Sequence, residues 1–259
     1  MRVIRYLLVS VFLVIAMTGC LHCQKNKDVL FQISTIGALL EGVYDGETTY
    51  GKLKRHGDFG IGTFNGLDGE MIGLEGKFYQ IKTDGIAYLV DDSMKTPFAT
   101  VTFFESDKSA LIDKIENYGQ LKQYLDKLLP TKNIFYAIKI EGVFKYVKTR
   151  SVPGQSKPYP LLVEVVKNQS IFEFHNVKGT IVGFWCPGYV EGVNVPGYHL
   201  HFITGDRKAG GHLLECHLQN ARVDIDYTSE FYMALLKSDE FYKTDLTRKK
   251  QKELDKVEK

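Results

Sequence analysis

The chain has 259 residues, 33 Lys+Arg against 31 Asp+Glu for a formal charge of +2, 44% apolar residues, and 24 Gly against 7 Pro. That balance excludes a disordered or collagen-like chain, and it lacks the basic excess of a whole-protein nucleic-acid binder. Four Cys are too few for a disulfide scaffold, while the length suffices for one large domain or two ordinary ones.

Residues 1–20 read MRVIRYLLVSVFLVIAMTGC. Arg2 and Arg5 precede an apolar run from Tyr6 to Met17, the layout of an export signal. The run is shorter than the ~20 apolar residues of a membrane-spanning helix. Thr18-Gly19-Cys20 follows, so residues 1–19 resemble a bacterial lipoprotein signal peptide with Cys20 as the lipidated first residue of the mature chain. Simple secretion after cleavage is the alternative, and a signal left unprocessed would keep the protein in the cytoplasm. Removing 1–19 takes away two arginines and no acid, so the small positive charge belongs to the leader. Residues 20–29 read as a polar tether, and Cys20-Leu-His-Cys23 as part of it rather than as a redox or metal pair.

From residue 30 the chain is dense with short β-type runs broken by Gly: FQISTIGALL, GEMIGLEGKFYQI, GIAYLV, FATVTFF, NIFYAIKI and GVFKYVKT. Apolar alternation and β-branched or aromatic content predict strands, and the DG, NG and EG pairs predict turns. Ser109–Leu129 breaks the pattern. Leu111, Ile112, Ile115, Leu121, Tyr124, Leu125 and Leu128 recur at helical spacing up to Pro130, which predicts a helix. VPGQSKPYP (152–160) holds three of the seven prolines and suggests a boundary between an N-terminal α+β sheet domain, 30–152, and a β-rich domain, 153–259. Strands are expected again in LLVEVVKN, IFEFHNVKGTIVGFW, YHLHFIT and HLLECHLQNARVDIDY, then a short helix in SEFYMALLK and a helix in the charged tail. The fold class is therefore α+β, two domains on mixed or antiparallel sheets with a few helices.

His199 and His201 lie two apart in a strand-like run, so both imidazoles face one side. The loop GDRKAGG turns the chain back, and a hairpin brings His212 beside them. Three neutral imidazoles leaving a fourth position open are the ligand set of a catalytic zinc, whereas structural zinc favours four ligands rich in Cys. Polar strand histidines are the plainer alternative. His217, Glu215 and Cys216 fall on the wrong face or too far along, and read as structural with His22, His56 and His175.

Chemistry at such a metal needs acids and an anion grip. Asp58, Asp68 and Glu75 sit in glycine-rich turns and read as solvated, but Glu70 opens the apolar run EMIGL and can point inward. Arg150 ends the strand KYVKTRSVP beside the expected boundary, where a cleft would lie, although a surface arginine fits equally well. Glu258 stands in a Lys-rich tail and by its surroundings reads as solvated.

The segments YDGETTYGKLKRHGDFGIGTFNGLDGEMIGLEGKFYQI, TPFA, VTFF, KIEGVFKYVKTRSVP and VKGTIVGFWCPGYVEGVNVPGYHLHFITGDRKAGGHLLE together resemble bacterial acetolactate decarboxylase, from about Gln32 to the C-terminus. The resemblance implies a two-domain, homodimeric carboxy-lyase that converts 2-acetolactate to acetoin and CO2 in the butanediol pathway with Zn2+. It places the zinc ligands at His199, His201 and His212, and catalytic residues at Glu70 and Arg150. Glu258 is the best match to a C-terminal glutamate near the metal, with Glu253 the other possibility. Zinc acting as a Lewis acid on the ketone and hydroxyl oxygens would stabilise the enediolate left by CO2 loss, so no organic cofactor is needed. Arg150 suits the carboxylate and Glu70 the proton donation, since a guanidinium rarely gives up a proton. A non-catalytic exported lipoprotein binding a small 2-hydroxy acid or a metal is the alternative, and a three-histidine oxygenase a third reading. No nucleic-acid partner is expected, and membrane contact only through a lipid on Cys20.

Overall fold

The computed structural model describes residues 28–258, so the leader, Cys20, Cys23 and most of the tether lie outside the described residues. The chain opens with β1 (Val29–Ile33), α1 (Ile36–Leu40), β2 (Thr48–Thr49) and α2 (Tyr50–Leu53). Next come β3 (Phe59–Thr63), β4 (Glu70–Leu74), β5 (Lys77–Ile81), β6 (Ala87–Leu89), β7 (Lys95–Thr96) and β8 (Ala99–Thr102). Then follow β9 (Lys108–Ile115), α3 (Tyr118–Asp126), β10 (Phe135–Ser151), α4 (Leu162–Val165) and β11 (Ser170–Cys186). Last are β12 (Gly197–Thr204), β13 (Gly210–Thr228), β14 (Glu230–Ala234), α5 (Asp239–Lys243) and α6 (Gln251–Val257). The α+β class expected from the residues is the class observed.

One sheet has the order β14-β1-β8-β3-β4-β5-β6 and is antiparallel except for the β1–β14 pair. In the other, β10 pairs with both β11 and β13, and β12 also pairs with β11 and β13, so the hydrogen bonding closes on itself; β9 adds to β13. Sheet membership does not change at 152/153. β9 and β10 precede that point yet belong with β11–β13, and β14 returns to the first sheet. Val152 is buried, so the proline-rich stretch begins as packed chain rather than as a linker.

The sheets meet face to face. Phe59, Ile61, Ile72, Leu74 and Ile81 of the first pack against Phe135, Ala137, Val182, Phe184 and Ile203 of the second. Alternation with period two points these side chains to one face, and burying each of them other than Ala137 contributes about 1.5–3 kcal/mol. The Glu75-Gly76 turn joins β4 to β5 with φ of 55° and 75°, the left-handed pair that a tight hairpin requires.

Four expectations about local structure are corrected. The helix over Ser109–Leu129 is a strand followed by α3, which Asn117 caps by accepting from the Gln120 N–H. In β9 and β13 the burial changes phase at Asp113 and Asn220, so Ile112 and Ile115 face inward together opposite Ala221 and Leu218. Asn220 takes φ 55° there. Two inward residues three apart imitate a helix. In FQISTIGALL the strand stops at Ile33, and Thr35 starts α1 by accepting from the Ala38 N–H. LLVEVVKN is α4 and one further tight turn, with Leu162 and Val165 buried one turn apart. SEFYMALLK is mostly β14, held by its parallel register with β1.

Between the sheets Asp226 is buried and accepts from the Glu105 N–H at 3.2 Å. Burial first, and then the charges of Asp107, Asp28 and Glu105, push its carboxyl up to about 7. An acid raised on folding binds more protons in the native state, so its destabilising effect grows as pH rises from about 4 to 7 and is constant above. Asp226→Asn keeps a carbonyl acceptor and removes the charge. Thermal melts should give a Tm gain at pH 8, roughly 2–4 °C per kcal/mol recovered, and a smaller gain at pH 5.

Candidate active site

The closed sheet sets the site through its register. Arg150 of β10 is the cross-strand partner of His212 on β13, and His212 is the partner of His201 on β12. His199 lies two residues before His201 on the same strand face. Gly211, immediately before His212, has φ 143°, and a Cβ there would stand 2.4 Å from the Arg150 carbonyl oxygen. Only glycine lets the two strands approach so closely at this point.

The three rings converge. His199, His201 and His212 have centroids 5.1–5.2 Å apart, and one nitrogen of each lies within 4.8 Å of the others. His201 Nδ1 is 2.9 Å from the Met71 carbonyl oxygen, to which it donates, so its Nε2 presents a lone pair to the cluster. That Nε2 is 3.3 Å from His199 Nε2. Two nitrogens bound at ~2.0–2.1 Å to one tetrahedral ion stand ~3.3–3.4 Å apart, so the spacing suits a zinc-sized cation. Burial and the Arg150 charge hold all three imidazoles well below the ordinary histidine range, His199 down to about 3, and a neutral imidazole is the metal-binding form.

The first sheet delivers the acid. Glu70 begins β4, where Met71 and Ile72 are fully buried, and its side chain faces the second sheet. Its Oε1 accepts from Arg150 Nη1 at 2.7 Å, and its Oε2 is 3.7 Å from His201 Nε2. Arg150 Nη2 donates to the Val257 carbonyl at 3.1 Å, and Arg150 Nε is buried without a hydrogen-bond partner, an N–H left for a ligand. Glu258 enters from the end of α6, its Oε2 3.8 Å from Nε2 of both His199 and His212. Burial pushes both carboxyls up to about 7. Arg150 opposes this at each, and Glu258 adds to it at Glu70.

Every expected site residue among the described ones is thus in one cluster, and Glu258 rather than Glu253 faces the histidines. The Glu253 carboxylate is 3.8 Å from Lys250 on the far side of α6. Three contributors have no signal in their residue types, because they act through the backbone: the carbonyls of Met71 and Val257 and the φ of Gly211. The residues set aside are structural. Asp58 accepts from the Phe104 N–H, Asp68 pairs with Lys82, and Glu75 occupies the hairpin turn. His56 stacks on Phe31, and His175 and His217 flank Tyr146. Cys216 packs into the core of the closed sheet, and Glu215 accepts from the Tyr118 and Cys216 N–H groups.

Next to His199, Glu70, Arg150 and Glu258 lies a small cavity walled by Leu39, Leu67, Phe98, Val152 and Leu162. The arrangement offers a cation seat, one guanidinium, two acids and an apolar wall, which suits a small oxygen-rich anion with short alkyl groups. His201→Ala should abolish binding of one divalent metal per chain. Gly211→Ala should weaken it at least ~10-fold by forcing His212 away from Arg150. Elemental analysis after dialysis and a competition titration with a chromophoric chelator measure both.

A sequence model of the alpha-acetolactate decarboxylase family matches residues 30–248. Curated alpha-acetolactate decarboxylases are similar along nearly the whole chain. The protein of Methanosarcina mazei is 56% identical over 236 residues, 91% of this chain and 82% of its own. That of Methylococcus capsulatus is 50% identical over 229 residues, 88% of each chain. The crystal structure of alpha-acetolactate decarboxylase from Bacillus subtilis strain 168 superposes with a TM-score of 0.86 at 43% identity, covering 89% of this chain and 99% of that one. The family match ends before α6, so the place of Glu258 rests on the geometry above. With its sequence matched from β1 to residue 248 and its fold shared, the chain belongs to the alpha-acetolactate decarboxylase family of carboxy-lyases.

Proposed function

We propose that the protein decarboxylates 2-acetolactate to acetoin and CO2, with zinc held by His199, His201 and His212. The observation that carries this reading is the convergence of three neutral imidazoles with Glu70, Arg150 and Glu258 in one buried site. When bound, zinc supplies electrophilic pull on the ketone and hydroxyl oxygens of the substrate. The side chains do the rest. Arg150 offers its unpaired Nε–H to the substrate carboxylate or an adjacent oxygen, while Glu70 and the Val257 carbonyl hold the guanidinium in place. The enclosed site keeps water from competing for these donors.

As the bond to the carboxylate breaks, its electron pair passes into conjugation with the ketone, leaving an enediolate of acetoin and free CO2. Glu70 then gives a proton to the carbon that lost CO2. Its burial raises the carboxyl to about 7, so the protonated form is accessible near neutral pH, and its Oε2 already faces the cluster. Glu258 closes the opposite side against His199 and His212. The apolar wall receives the methyl groups.

An oxygen-free assay of CO2 and acetoin from racemic acetolactate tests the reaction. Acetoin released by zinc-loaded protein supports it, and zinc-loaded protein that releases none favours the non-catalytic binder. Glu70→Gln should lower kcat by ~10²–10⁴, the usual worth of a positioned acid, with KM changed less. Full turnover with unchanged product handedness in that variant would remove Glu70 from the proton step. Arg150→Ala should chiefly raise KM.

We also propose that the chain is exported, anchored by lipid on Cys20, and works as a homodimer. Palmitate labelling should be present in the native protein and absent in Cys20→Ala; equal labelling of both refutes the anchor. Among the described residues no helix is long and apolar enough to cross a membrane.

A further inference from the structure

Glu258 reaches the histidines only because α6 is seated. Leu254 and Val257, one turn apart, bury themselves among Ile36, Leu40, Leu162 and Val165 of α1 and α4. This fixes which face of α6 points inward. The approach to α6 is thinly supported. Residues 245–250 pass over a groove of about 360 Å³ whose apolar floor includes Ile36, Leu40 and Leu254. The polar side chains along this crossing bond to one another, Asp245 accepting from Thr247 and pairing with Arg248.

At the end of the crossing the charge arrangement changes. Lys250, which immediately precedes α6, forms an ion pair with Glu41, which immediately follows α1. Both side chains are about four-fifths shielded from solvent, at 18% and 22% exposure, so the pair is screened less than a surface pair. Lys250 and Glu258 lie eight residues apart, ~12 Å along a helix, so fixing one end of α6 fixes where the other end points. The far end is tied by the Glu258 N–H to the Leu254 carbonyl at 3.0 Å and by Arg150 to the Val257 carbonyl.

We propose that Glu41 and Lys250 are positioning residues for decarboxylation: their ion pair latches α6 so that Glu258 faces His199 and His212. This rests on the reading of the site given above. Neither residue touches the histidines, and their effect passes through α6 alone.

The test uses the full-length, zinc-loaded protein with Lys250→Met, Glu41→Gln and the charge exchange Glu41→Lys/Lys250→Glu. Amide hydrogen exchange over residues 254–258 should speed up roughly fivefold in each single variant, with β10 and β13 unchanged, and recover in part in the exchange pair, whose introduced carboxylate at 250 also lies beside Glu253. With acetolactate as substrate, kcat should fall by about the same factor while KM stays within roughly twofold. In a Glu258→Gln background, Lys250→Met should lower kcat less than it does in the wild type, because the two changes share the Glu258 carboxylate and only the Val257–Arg150 contact remains to be lost. Unchanged exchange over 254–258 in the single variants overturns the latch whatever the turnover. Faster exchange with unaltered kcat, or a loss that adds in full to that of Glu258→Gln, overturns the positioning role. Wild-type protein that makes no acetoin defeats the decarboxylase reading instead, and the exchange experiment, which needs no turnover, still judges the latch.

Discussion

The active site is organised around a charge deficit held out of water. Glu70 and Glu258 bring two carboxyls to a place where Arg150 supplies one positive charge and burial keeps three imidazoles neutral. Such a set cannot ionise fully by itself, and burial accordingly raises both acids. On the proposed reading, with Glu70 protonated and Glu258 ionised, a dication and Arg150 leave the site two charges positive, and a monocarboxylate substrate brings the sum to one. Loss of neutral CO2 keeps it at one, because the negative charge moves onto the oxygens beside the departing group, and proton transfer from Glu70 leaves it unchanged. A site balanced in this way favours the anion before and after the bond breaks, and it lets Glu70 hold or give a proton without large rearrangement.

Rigidity comes from the two sheets meeting at this point. The closed sheet aligns Arg150, His212 and His201 across three strands by main-chain register. The first sheet reaches over with β4, whose Glu70 meets Arg150 while the neighbouring Met71 carbonyl fixes the His201 tautomer. Two consecutive residues on one strand thus govern both the guanidinium and a metal-binding ring. The pair interaction between Glu70 and Arg150 is costly to bury and expensive to break singly, so either residue alone would leave an uncompensated charge in the core.

Much of this was legible in the residues. Period two puts His199 and His201 on one face, the GDRKAGG loop returns His212 beside them, and the apolar run after Glu70 turns that acid inward. The resemblance then singled out Arg150 and Glu258. Glu258 was opaque to local reasoning, because its neighbours are lysines and acids that look solvated. What buries it is the docking of α6 through Leu254 and Val257, a long-range fact with only one apolar pair to announce it. The misread elements have equally local causes. The phase change at Asp113 and Asn220 set two strand residues at helical spacing, and α1 and α4 are too short for a period to establish itself. The prolines of 152–160 suggest a boundary, but strand pairing, which no composition reveals, assigns β9 and β10 to the second sheet.

The spacing of the site along the chain has a consequence for the order in which it forms. His199, His201 and His212 belong to one hairpin, whose closure costs little entropy. The Arg150–Glu70 bond closes a separation of 80 residues, and the Arg150–Val257 bond one of 107. Loop entropy therefore places the imidazole cluster early and the acids late. A chain part-way through folding can present a cation seat before it owns a proton donor, and reactivity arrives only with the last long-range closures.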